Sequence, residues 1–158
     1  MSATAVTAQS GRGLIAPPFF ERLSRRLTRK GGLSIEQAEA ITDQALAFLA
    51  TCAQRPPSSA TLSPSPLVDL GWHVFLEYTA EYDAFFARHG WRKVQHAPFD
   101  DPTATYEAPE VVIPRTLDAM ERAGYAVNGP LWVTSTVDCG GDDSDDVPGD
   151  PLPCGDHP

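Results

Sequence analysis

Apolar residues recur three and four positions apart in several stretches of the chain, the spacing of one face of a helix. Phe20, Leu23 and Leu27 mark the first, introduced by Pro17-Pro18 and stopped by Gly31-Gly32. Ser34 and Gln37 fit a capping box, in which each side chain satisfies an orphan N–H of the first turn. Behind it Ile35, Ala38, Ile41, Ala45 and Phe48-Leu49 extend a second helix to about Cys52. Arg55 to Pro66 holds four Pro and four Ser and reads as a stiff loop. Pro66 opens a third helix, expected from Leu67 to about Arg88 and ended by Gly90. Val68, Trp72, Phe75, Leu76, Tyr82, Phe85 and Phe86 fall on one broad arc of it. A connector, Trp91 to Pro102, leads to a fourth helix over Glu110 to Arg122, where Pro114 either kinks the helix or forms its first turn. Gly124-Tyr125 ends it, and Leu131-Trp132 docks back on the core after an Asn128-Gly129-Pro130 turn.

Strand-like alternation is weak throughout. The expected fold is all-α, a compact bundle of about four helices over residues 17–133. Residues 1–16 are expected to be disordered, and residues 134–158 form a low-complexity acidic tail containing cysteine. At 158 residues with 42% apolar and 21% charged side chains, one ordinary domain accounts for the chain. Apolar runs are only a few residues long, so a transmembrane helix is excluded. Met1 to Gly11 lacks the basic flank and apolar stretch of a signal peptide, and the expected location is the cytoplasm.

The net charge of −9 divides unevenly. Asp138 to Pro158 carries seven Asp and no Lys or Arg, which leaves 12 basic and 14 acidic side chains, a net of −2, for the rest. Near the start, Arg12, Arg22, Arg25, Arg26, Arg29 and Lys30 face only Glu21. This basic 12–30 segment and the acidic tail are the two stretches suited to a protein partner; otherwise the basic cluster is a solvated helix face. No RNA-recognition or zinc-finger pattern accompanies it. Walker A, Gly-x-Gly-x-x-Gly, Gly-x-Ser-x-Gly and His-Glu-x-x-His patterns are absent as well, so no nucleotide cofactor is expected.

The chemistry concentrates in the third helix and just beyond. Asp69 and His73 are four apart and share a helix face at the edge of the apolar arc. His96 follows the Gly90 turn, so the connector can return it to that face. Two imidazoles and one carboxylate suit Zn²⁺ or non-haem Fe, with Cu a further choice, and leave positions open for water or substrate. Trp72 or Tyr82 would shape such a site. Two other readings fit the same residues: a buried hydrogen-bonded Asp69–His73 pair that fixes the helix, or acid–base chemistry without metal. Asp83 lies ten residues past His73, about 15 Å along a helix, and does not join the group.

The run Val68-Asp69-Leu70-Gly71-Trp72-His73-Val74-Phe75-Leu76, followed by Thr79, Tyr82, Phe85, Gly90 and His96-Ala97-Pro98, resembles the glycine-rich domain-containing protein-like family. The resemblance covers residues 64–98 closely and 124–132 more loosely. Phe86 and Gln95 stand where that family carries Cys and often His, and the glycine-rich region of its larger members is absent. The resemblance implies an α-helical domain and brings no activity with it.

Three cysteines remain. Cys52 reads as a plain buried thiol. Cys139 and Cys154 lie in the tail with His157 close by; with an Asp they make a weak second ligand set, and otherwise the tail is a solvating segment. Two functions follow. One is a small helical metal-binding protein, with a metal-dependent enzyme of unknown substrate as its catalytic form. The other is a non-enzymatic interaction module in which the Asp-x-x-Trp-His motif is structural.

Overall fold

The computed structural model describes residues 7–97, 102–103 and 105–134. Cys139, Cys154 and His157, together with Pro98, lie outside the described residues. The described chain folds into five α-helices and two short 3-10 turns, with no strand among the described residues beyond one isolated bridge between Gln9 and Tyr125. No described helix is long and apolar enough to cross a membrane.

Helix α1 spans Pro17–Gly31 and buries Phe20, Leu23 and Leu27. Two prolines open it and Gly32, at a φ of 61°, closes it in the left-handed region that glycine tolerates. Helix α2, Ile35–Gln54, begins at the capping box: the Gln37 N–H donates to Ser34 Oγ at 3.2 Å, and the Ser34 N–H donates to Gln37 Oε1 at 3.0 Å. It is the central element and packs on α1, on the α3 and α5 helices that follow, and on the first 3-10 turn. From Gln44 to Thr51 every residue of α2 is buried, so this half of the helix is covered on all sides.

The single helix expected from Leu67 to Arg88 is two helices, α3 at Pro66–Leu76 and α4 at Thr79–His89. Tertiary contacts override local periodicity at the corner. Arg26 and Lys30 of α1 pair with Glu77, and the Tyr78 ring meets Phe19 edge-on at 5.5 Å. The Glu77 and Tyr78 amides tighten onto Val74 and Phe75, and Tyr78 then leaves helical geometry with φ −100° and ψ 67°. The aromatic arc still reads as continuous because Phe75, Tyr82 and Phe85 meet around the bend, with ring centroids 5.1 and 5.6 Å from Phe75. Helix α5, Pro109–Arg122, starts at Pro109 and holds Pro114 in its interior.

The segment expected to be disordered before Pro17 is ordered from Gln9 onward, so the domain begins earlier than the helical pattern indicates. Gly11–Leu14 forms a 3-10 turn on α2. Asp43 accepts the Arg12 N–H at 2.8 Å and the Ser10 hydroxyl. A Cβ on Gly11 would stand 2.0 Å from the Asp43 carbonyl oxygen, so only glycine allows this approach. A second 3-10 turn, Gly129–Trp132, buries Trp132. Its indole N–H donates to Gln44 Oε1 at 2.8 Å.

Candidate metal centre

Ser65 caps α3, accepting the Val68 N–H at 3.2 Å and donating its own hydroxyl to the Leu131 carbonyl at 2.5 Å. Its backbone carbonyl takes the Asp69 N–H at 2.8 Å. Asp69 therefore sits in the first turn of a firmly held helix, and His73 lies one turn along the same face. The connector brings the third residue. Gly90 reverses the chain after α4 at a φ of 67°, and the Trp91 N–H closes the turn on the Phe86 carbonyl at 2.9 Å. Tyr82 then donates its hydroxyl to the Val94 carbonyl at 2.8 Å, two residues short of His96. The His96 ring meets the Trp72 ring edge-on, 4.6 Å between centroids.

One carboxylate ends up between two imidazoles. Asp69 Oδ2 is 3.2 Å from His73 Nε2, and Oδ1 is 3.3 Å from His96 Nε2. The two imidazole rings stand 4.5 Å apart and nearly perpendicular, at 87°. One ligand atom from each of the three residues lies within 4.8 Å of the others. Ligands bound at about 2.0–2.2 Å around one ion stand roughly 3 Å apart. The carboxylate contacts of 3.2 and 3.3 Å come close to that, each through a different oxygen, and the three ligand atoms would have to draw together around an ion. His73 has the freedom to do so, since its side chain is 53% exposed against 19% for His96 and 23% for Asp69. With a proton on each Nε2 the two rings donate to the one carboxylate; a metal would take the place of those protons.

The structure thus brings Asp69, His73 and His96 together, with Trp72 and Tyr82 behind them. Both aromatic residues are buried, and the Trp72 indole N–H donates to the Tyr82 oxygen at 2.9 Å. Asp83 stands apart from the trio and pairs with Lys93 at 2.5 Å. Cys52 is partly buried, and desolvation pushes its thiol up to about 12, as for a buried structural thiol.

A cavity of about 190 Å³ opens beside Asp69 and His96. Leu62, Pro64, Trp72, Tyr106 and Val112 supply apolar lining, and Thr61 and Glu107 polar lining. Glu107 is held by Arg115 through two parallel contacts, one of them 2.8 Å, and this bond lowers its carboxyl below the usual range. A second cavity of about 280 Å³ shares Ser63, Pro64, Asp69, Glu107 and Val112 with the first. The walls from the proline-rich loop and from 105–112 were not foreseeable, because nothing in the local pattern ties Glu107 to Asp69.

Four of the six basic side chains of the 12–30 segment form ion pairs within the domain. Arg12 pairs with Glu39, Arg25 with Glu21, and Arg26 and Lys30 with Glu77. No family model, no curated protein and no solved structure matches the chain.

Proposed function

We propose that the protein binds one divalent transition-metal ion through Asp69, His73 and His96. The observation that carries this reading is the mutual approach of three ligand atoms, from two separate segments, to within 4.8 Å. Two imidazoles and one carboxylate suit zinc or ferrous iron best, with copper next. Three protein ligands leave coordination positions open, and Asp69 and His96 also line a cavity, which is the arrangement of an ion that polarises a bound molecule or activates water. The resemblance of residues 64–98 to the glycine-rich domain-containing protein-like family joins this reading as a proposal: the residues that carry it include all three ligands.

A second reading treats the trio as a hydrogen-bonded latch in a non-enzymatic interaction module. It is favoured by the Asp69 carboxylate already standing 3.2 and 3.3 Å from the two imidazoles. Elemental mass spectrometry separates the two. Untagged protein purified without chelator is expected to carry about one transition-metal ion per chain, lost in His73→Ala. Wild-type protein that stays empty when offered Zn²⁺, Fe²⁺, Cu²⁺ and Mn²⁺ would overturn the metal reading and leave the latch.

A further inference from the structure

We infer that the cavity beside Asp69 and His96 takes a single-ring organic molecule that anchors to the metal through an oxygen chelating group and keeps its body uncharged. The inference rests on the metal reading and adds the class of ligand.

Position comes first. Asp69 and His96 belong both to the ligand set and to the cavity wall, whereas His73 belongs to the ligand set alone. His73 is half exposed and does not line the cavity, so an ion held by the trio would stand beside the cavity through Asp69 and His96. Size comes second. An enclosed apolar cavity of about 150 Å³ holds one benzene ring. At about 190 Å³ this one has room for a ring and a small head group. Chemistry comes third. Leu62, Pro64, Trp72, Tyr106 and Val112 offer an apolar body faces and edges to pack on.

Charge decides the rest. Among the described lining residues the charged ones are Asp69 and Glu107, and Glu107 is already matched by Arg115. No Lys or Arg is among the described lining residues. An anionic group on the ligand therefore has one place to go, the ion, whose charge Asp69 only half neutralises. Oxygen donors fit because a site of imidazole and carboxylate is a borderline-to-hard one. Thr61 and Glu107 add polar groups to the lining, so small hydroxyl or amide substituents on the ring are accommodated beside them.

The test uses full-length protein loaded with Zn²⁺, zinc content measured for every sample, and calorimetric titration with benzohydroxamate and acetohydroxamate. The two probes share a head group and differ by the ring. Benzohydroxamate is expected to bind about tenfold tighter or more, because only it buries an apolar body. The advantage is expected to vanish in Thr61→Trp, which fills the cavity from an exposed position, at unchanged zinc content. Val112→Phe serves as a second filling variant. Metal-free protein is expected to bind neither probe. Equal affinities of the two probes on zinc-loaded protein would overturn the inference and leave the metal reading standing. A ring preference that survives both filling variants, or that persists without zinc, would overturn it too. Protein that takes up no zinc would overturn both readings together.

Discussion

Trp72 reaches Tyr82 across the corner between α3 and α4, its indole N–H donating to the phenol oxygen at 2.9 Å. The phenol passes the connection on by donating to the Val94 carbonyl at 2.8 Å. One hydroxyl thus satisfies a buried indole and ties down the connector that carries His96. Tyr82→Phe removes both bonds with little change in shape. The expected loss is about 1–3 kcal/mol of stability, the cost of leaving a buried N–H without a partner. Metal affinity is expected to drop about 10- to 100-fold, as it does when a group supporting a ligand is removed. Urea unfolding of metal-free protein and a competition titration with a zinc indicator measure the two effects separately. Unchanged affinity alongside lowered stability would show that His96 is placed without Tyr82.

The same phenol predicts an alkaline limit. Burial pushes Tyr82 from 10.0 up to about 12, against the opposing pull of the Trp72 hydrogen bond. The folded state therefore holds this proton to higher pH than the unfolded chain does. Its stabilising effect is intact below about pH 10 and is lost as pH rises towards about 12, an effect of roughly 3 kcal/mol over those two units. Tyr125 is raised by burial as well and acts in the same direction. Denaturant unfolding across this range should show wild-type stability falling more steeply than that of Tyr82→Phe. Parallel pH profiles for the two proteins would contradict the assignment.

Gly71 lies between Asp69 and His73 in sequence but on another side of α3, the one that meets α2. A Cβ there would stand 2.9 Å from Ile41 Cγ2 and 3.1 Å from Ala45 Cβ. Gly71→Ala is expected to push α3 off α2 and to cost about 1–3 kcal/mol, despite the better helix propensity of alanine. Because α3 carries two of the three ligands, metal affinity should fall with it. Thermal unfolding and the same zinc titration check both parts. A stabilised variant would mean that α2 yields to the extra methyl group.

Gln44 is buried on α2 and uses both ends of its amide. It donates to the Ala126 carbonyl at 2.9 Å, and it accepts from the Asn128 N–H at 3.0 Å and the Trp132 indole at 2.8 Å. Gln44→Leu keeps much of the bulk and strands three polar groups. The expected loss is about 3 kcal/mol or more. Hydrogen exchange should localise the loosening to the backbone of 125–132. Uniform loss of protection across α1 and α2 instead would place Gln44 in the central core.

Much of this fold was readable from local pattern, because an amphipathic face and a cap are local properties. Helices α1, α2 and α5 appear where Phe20–Leu27, the Ser34 capping box and the Glu110–Arg122 pattern place them, α5 starting one residue earlier at Pro109. The break at Glu77–Tyr78 was not readable, since its causes, Arg26, Lys30 and Phe19, lie on another helix. The docking of Gly11 was hidden for the same reason: a glycine in a polar stretch carries no signal that Asp43 will meet it. In the site, Asp69 and His73 were legible as a pair through helix spacing. His96 was legible only as a residue able to return, and what returns it is the Tyr82–Val94 bond. The cavity walls come from three distant segments and left no local trace.

Asp43 and Gln44 are neighbours on α2, yet they hold opposite ends of the described chain. Asp43 takes Ser10 and Arg12, while Gln44 takes Ala126, Asn128 and Trp132. Between those ends the Gln9 N–H meets the Gly124 carbonyl at 2.7 Å, and the Ala126 N–H meets the Gln9 carbonyl at 2.9 Å. The two ends are clasped to each other and to one turn of one helix. Tension applied across them would load this clasp before any other part of the bundle. A tether pulled at either end would strain a few hydrogen bonds at residues 9–12 and 124–132, among them the Leu131–Ser65 bond at the start of the helix that carries Asp69 and His73.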